Sequence, residues 1–215
     1  MNLISSSCLP AAEGRIVFRQ GSACTHSIFQ NLEYGMQGRY GGTVLRSQDI
    51  LILLKLVLWG RIWTFDQIAH ELGLSASAVH RSLDRAASAG LYRPVAKEVD
   101  KRALEEFLVH GVRYVFPPKW GGESRGIPTA WAAPPLSDEL AHAGNNPPVW
   151  PDPHGKARGI ALEPLDSHAP EASRRDEELA RLLALVDALR IGGARERSLA
   201  AKQLKKRLRR SGSGA

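Results

Sequence analysis

Cysteine is almost absent from this chain: only Cys8 and Cys24 occur in 215 residues. Two thiols cannot build a disulfide framework, and their spacing to the nearest histidine, His26, is not that of a zinc site. A cross-linked secreted scaffold and a zinc finger are therefore excluded, and free thiols in a reducing cytoplasm are the expected state. The 7 histidines are scattered, with no pair at ligand spacing on one helix, so no metal and no cofactor is expected. Long apolar runs are lacking as well. The longest, ILILLKLVLW at 50–59, is too short to cross a bilayer and carries Lys55, so it reads as a core helix and no membrane association is expected. The first residues lack the basic start and apolar stretch of a secretory signal. There is no glycine-rich phosphate loop, no cysteine beside a histidine in a patterned region, and no carboxylate pair on an apolar face. No catalytic residues and no enzymatic activity are expected on that inventory. Asp152 and His154 in WPDPHG have no nucleophile or third ligand nearby in sequence and read as a turn.

What is present is an ordinary globular composition, 43% hydrophobic and 24% charged, in a chain long enough for one substantial core. The net charge of +7 is not evenly spread. Residues 194–215 hold eight basic residues (Arg195, Arg197, Lys202, Lys205, Lys206, Arg207, Arg209, Arg210) against Glu196, so the other 193 residues sum to zero. The basic character thus belongs to the C-terminus.

The best-patterned stretch is TFDQIAHELGLSASAVHRSLDRAASAGLY, residues 64–92. Ile68, Ala69 and Leu72 form one helical stripe, and Ala78, Val79, Leu83 and Ala86 a second. Gly73 sits where the first helix must stop and the backbone turn, Leu74 follows as a plug, and Ser75 can cap the second helix. Gly90 ends that helix. Two helices joined by a tight glycine-bearing turn describe a helix-turn-helix, with residues 75–89 as the recognition helix. The alternative is a helical hairpin with no DNA partner. Against it, Ala69 is small where the helices must approach, and Ser75 and Ser77 let a helix N-terminus come near phosphate. His80, Arg81 and Asp84 share the polar side.

The series Ile68-Ala69, Leu72 to Ser75, Val79 to Arg81 and Ala89 to Leu91 resembles the winged helix-turn-helix of MarR-type bacterial regulators. The resemblance covers residues 64–92 and implies transcription regulation through double-stranded DNA. On this reading Ser77, His80 and Arg81 face the major groove, while Ser75 and Arg85 lie on or near phosphate. Regulators of this type often dimerise through terminal helices, which implies a homodimer on a pseudo-palindromic operator.

The remainder divides at changes of pattern. Residues 1–46 read as a poorly ordered N-terminal extension, with translation expected to start at Met36. Residues 47–133 form the winged helix-turn-helix domain, opened by a helix that Ser47 caps and that is apolar nearly all round. Asp100 can cap a helix in which Leu104, Phe107 and Leu108 form a stripe. Residues 112–136 then read as a β-hairpin, with arms at Val112–Phe116 and Ile127–Trp131 and with Lys119 and Arg125 near its tip as a wing that, with the basic C-terminal tail, adds phosphate contacts. Residues 134–173 are Pro-rich and read as an irregular connection, with a short strand available at 159–165 and Trp150 as a buried anchor. Residues 174–210 read as a C-terminal helical hairpin with a basic tail, broken at Gly192-Gly193. Its apolar stripe must bury against the body, a twin subunit or another protein. The expected fold class is mainly α with a small β-hairpin wing, an α+β arrangement.

A second resemblance concerns function. The strings YVFPPKWGG, IPTAW, PPVWPDPHGKARGIALEPL and LLALVDALRIGGARER are similar to winged-helix proteins encoded beside nucleotidyltransferase-like toxins of the abortive-infection class. This implies an antitoxin-like protein that autoregulates its operon and neutralises a toxin partner.

Overall fold

In the computed structural model, residues 44–140 and 146–210 are described. Cys8, Cys24 and the start expected at Met36 lie outside the described residues. The architecture is mainly helical with two small sheets.

Helix α1 (Ser47–Trp59) is the first central element, with every residue from Asp49 to Val57 buried. Its N-cap is Arg46 rather than Ser47, because the capping group is Asp49, whose Oδ2 accepts from the Arg46 amide at 2.8 Å. Helices α2 (Phe65–Leu72) and α3 (Ala76–Ser88) follow and pack on each other and on α1. A two-stranded antiparallel hairpin comes next, β1 (Tyr92–Arg93) against β2 (Glu98–Val99).

Residues 101–115 are one continuous helical run: α4 (Lys101–Glu106), a π-helical turn (Phe107–Gly111) and α5 (Val112–Val115). The expected β-hairpin over 112–136 is therefore not formed. Leu104, Leu108 and Val112 recur every fourth residue and are all buried, so helical periodicity overrode the β-propensity of the Val112–Phe116 run. The second expected arm is also divided, since Ile127 belongs to a strand and Trp131 to a 3-10 turn (Ala130–Ala132).

The Pro-rich segment is more regular than its composition suggests. Strand β3 (Trp120–Pro128) pairs antiparallel with both β4 (Pro148–Pro151) and β5 (Ala157–Leu162), while β4 and β5 run parallel. The three strands close on themselves at Gly126, which is in register with both Pro151 and Ala157. Proline cannot donate to a ladder, and here it supplies acceptors: the Pro147 carbonyl takes the Ile160 amide at 3.0 Å and the Pro148 carbonyl the Thr129 amide at 3.0 Å. The backbones meet so closely that a Cβ on Gly126 would lie 2.0 Å from the Trp150 carbonyl oxygen, and one on Gly159 1.9 Å from that of Pro147.

Helix α6 (Ala169–Arg175) leads into α7 (Glu177–Ile191), and α8 (Ala194–Arg210) follows. Helix α7 is the second central element, buried on every side from Leu182 to Arg190. It packs against α1, α5, α6, α8 and the 3-10 turn, and α8 packs on α7 and α4. The apolar stripe of the C-terminal pair is thus buried against the chain's own body, leaving Leu204 and Leu208 inside rather than offered to a second copy.

Two buried polar clusters fix these layers. Lys55 on α1 donates to Glu71 of α2 at 3.0 Å and to Asp176, the N-cap of α7, at 2.8 Å. Burial pushes the Asp176 carboxyl up, but the Lys55 hydrogen bond, the Leu179 amide and the Lys55 charge outweigh it and hold it below the ordinary carboxylate value. Asp187 on α7 is wholly buried and accepts from Trp150 Nε1 at 2.6 Å, Thr129 Oγ1 at 2.8 Å and Arg190 Nη1 at 2.7 Å. Burial drives this carboxyl above its ordinary value, with Arg190 and the two neutral donors pulling against it. Arg190 also donates from Nε to the Phe116 carbonyl at 3.0 Å, which ties the end of the 101–115 run to α7.

Candidate nucleic-acid interface

Local chemistry explains the pair α2–α3. Thr64 and Gln67 form a reciprocal cap: Thr64 Oγ1 accepts from the Gln67 amide at 3.2 Å and Gln67 Oε1 from the Thr64 amide at 2.9 Å. Gly73 stops α2 at φ 67°, in the left-handed region where a side chain is disfavoured. Ser75 Oγ then accepts from the Ala78 amide at 3.2 Å and opens α3. The inward face of α3 is Val79, Ser82, Leu83 and Ala86.

One buried ion pair sets the rotation of α3. Arg85 points inward, donating from Nε to Asp49 Oδ2 at 2.9 Å and from Nη2 to Asp49 Oδ1 at 2.5 Å, and Ser82 Oγ accepts a further Arg85 hydrogen bond at 2.9 Å. Asp49 has no solvent exposure at all. With Arg85 anchored, the exposed positions of α3 are Ser77, His80, Arg81 and Asp84, with Ser88 at its end.

The outward face carries little net charge. His80 Nδ1 lies 3.0 Å from Asp84 Oδ2, and the His80 ring stacks on Phe65 at 5.4 Å. Arg81 is exposed and makes no hydrogen bond or ion pair among the described residues. Beside this face the β1–β2 hairpin projects, with Val95 at its tip fully exposed and Lys97 turned back at φ 49° to lie 6.0 Å from the Trp63 ring. A cleft of about 130 Å³ lined by Trp63, Phe65, His80, Tyr92 and Lys97 separates hairpin and helix. The hairpin is pinned at its base by Arg93–Asp100 at 2.5 Å and Arg61–Glu98 at 2.7 Å. The Ala103 amide, chief among several donors including Arg93, holds the Asp100 carboxyl below its ordinary value.

Of the seven residues singled out from sequence, four are gathered on or at the start of α3 with outward exposure: Ser75, Ser77, His80 and Arg81. Arg85 is not among them, because its charge is committed to Asp49. Lys119 and Arg125 belong to the β3 region rather than to a hairpin following α3. Lys119 lies 3.1 Å from Glu163, and Arg125 stands in register with Arg158 across β3 and β5. Trp150, expected as a buried anchor, is buried with its indole N–H given to Asp187, whereas Trp120 is half exposed. Asp49, Lys55, Asp187 and Arg190 were missed as organising residues. Their signal was a charge inside an otherwise apolar helix, which must find a partner when buried.

A scan against protein-family models, a search of curated proteins and a search of solved structures each find no match to the chain. Among the described residues, no helix is long and apolar enough to cross a membrane.

Proposed function

We propose that this chain is a DNA-binding transcription regulator of the winged helix-turn-helix type, with α3 as the helix that enters the major groove. The observation that carries this reading is the Arg85–Asp49 pair, which locks α3 with Ser77, His80 and Arg81 turned to solvent. Arg81 is the principal base reader, because an unpartnered guanidinium can donate two parallel hydrogen bonds to a guanine edge. His80 is held by Phe65 and Asp84 and reads as an oriented donor or acceptor. The wing is reassigned to the β1–β2 hairpin, which follows α3 directly, and Lys97 is its cation. A dimer on a two-fold operator remains part of the proposal, but not through the apolar stripes of α7 and α8, which the body covers.

The test is fluorescence anisotropy with duplexes tiled across the region upstream of the chain's own gene, measured against a random duplex at fixed salt. The wild type prefers at least one tile. Arg81→Ala lowers that preference by roughly 1–3 kcal/mol, the range of a bidentate arginine–guanine contact. A wild type that binds every tile and the random duplex equally overturns the reading.

A further inference from the structure

The outward face of α3 is nearly neutral, since Arg81 and Asp84 cancel and Arg85 is withdrawn by Asp49. Most of the affinity of a DNA-binding protein comes from neutralising phosphates, so a duplex held by α3 needs cations from elsewhere in the molecule. Many arginines of the body are committed: Arg61, Arg93, Arg174, Arg175, Arg181 and Arg190 all lie in ion pairs with carboxylates, whereas Arg113, Arg125 and Arg158 form no ion pair among the described residues.

The groove between α4 and α8 differs. It has a volume of about 1060 Å³. Lys101, Arg102, Lys202, Lys205 and Arg209 line it, against Glu105 and Glu106. Lys205 pairs with Glu105 at 3.4 Å, while Lys101, Arg102, Lys202 and Arg209 have no ion-pair or hydrogen-bond partner among the described residues. Two chain segments far apart in sequence therefore converge four unpartnered cations on one concave surface. Glu105 and Glu106 are the carboxylates of the groove, and the five cations of its lining outnumber them. Lys101 and Arg102 open α4 immediately after β2 and the Asp100 cap, so their side of the groove follows the proposed wing directly in the chain.

We infer that the α4–α8 groove is a phosphate-backbone site for duplex DNA, separate from the base-reading face of α3. The inference rests on the DNA-binding reading above and names the source of its affinity. Lys101 and Arg102 act from the wing side and Lys202 and Arg209 from α8. The groove contributes binding without sequence preference.

The experiment uses the full chain and a random-sequence duplex, with the dissociation constant measured by anisotropy across a salt series. The variant carries Lys101→Gln, Arg102→Gln, Lys202→Gln and Arg209→Gln together, and a thermal melt by circular dichroism checks that it folds. A second variant, Lys202→Gln with Arg209→Gln, touches α8 alone and serves if the fourfold variant melts early. Each lost phosphate contact reduces the slope of log affinity against log salt by about 0.9. The fourfold variant therefore shows a slope shallower by about 3 to 4 and the double variant by about 2, with the preference among tiled duplexes unchanged. A folded variant with wild-type slope overturns the groove while leaving the α3 reading intact. A shallower slope in a protein whose wild type shows no duplex preference supports the groove and removes the α3 reading. If polyglutamate competes for the groove and the duplex slope stays unchanged, the surface belongs to an acidic protein partner and the inference fails.

Discussion

Arg85 and Asp49 sit 36 residues apart and meet as a two-pronged ion pair, the guanidinium side chain 11% exposed and the carboxylate fully enclosed. The same carboxylate also takes the Arg46 amide, so one buried group caps α1 and orients α3. That contact decides which side of α3 the solvent sees.

Breaking this pair should cost far more than a surface ion pair. Arg85→Ala leaves the Asp49 charge uncompensated inside the protein, and a loss of about 3 kcal/mol is expected in urea unfolding. Replacing both partners, as Arg85→Met with Asp49→Leu, should recover most of that loss, since no buried charge is left behind. An Arg85→Ala protein within about 0.5 kcal/mol of wild type would show that α3 is held by its apolar face alone.

The Lys55 cluster should appear in acid. The Asp176 carboxyl is held below its ordinary value in the folded state, so the unfolded chain takes up the proton first as pH falls. Its stabilisation is complete above the ordinary carboxylate value near pH 4 and disappears as pH drops through the depressed folded-state value. Asp100, lowered chiefly by the Ala103 amide, acts in the same direction. Lys55→Met removes the hydrogen bond and the charge that help depress Asp176, leaving only the Leu179 and Glu178 amides to oppose burial, which raises it. Urea midpoints at pH 5 and pH 3 should therefore fall less in Lys55→Met than in wild type. An equal fall in both proteins would place the acid sensitivity elsewhere.

At Gly126 there is no room for a side chain. The added Cβ would meet the Trp150 carbonyl at 2.0 Å, and that atom is backbone, so the β3–β4 pairing must shift. Gly126→Ala should destabilise by roughly 1–3 kcal/mol, the usual range for overpacking. It should also change the near-ultraviolet signal of Trp150. Gly122→Ala, where nothing lies within 4 Å, is the matched control and should leave both unchanged.

Asp84 opposes the proposed DNA face. Asp84→Asn removes a negative charge 3.0 Å from His80 and should tighten binding to any duplex. The gain should shrink as salt rises from 50 to 200 mM, because the Debye length falls to below about 10 Å over that range. Weaker binding by Asp84→Asn would mean that Asp84 is needed to orient His80 rather than tolerated beside it.

The helices around the turn were legible in the sequence because their determinants are local. Gly73, Ser75 and the stripes at 68–72 and 79–86 act through neighbours three or four residues away, and the structure places α2 and α3 within one residue of those signals. The two-residue strands of the β1–β2 hairpin are too short for a period to register in the sequence. Val112 to Phe116 was misread because β-branched and aromatic residues resemble a strand unless their register with Leu104 and Leu108 is followed across the π turn.

By itself the sequence determined where the two helices around Gly73 start and stop, that α1 is central, and that Trp150 is buried. It also fixed where the positive charge accumulates, since composition and short-range periodicity specify these things. Tertiary structure alone decided that Arg85 turns in while Arg81 turns out, that α7 is enclosed by its own chain, and that prolines 147, 148 and 151 join a closed sheet. It alone brought Lys101 and Arg102 beside α8. Each of these depends on a partner tens of residues away, and a buried charge or an unpaired strand edge is tolerable only once that partner arrives.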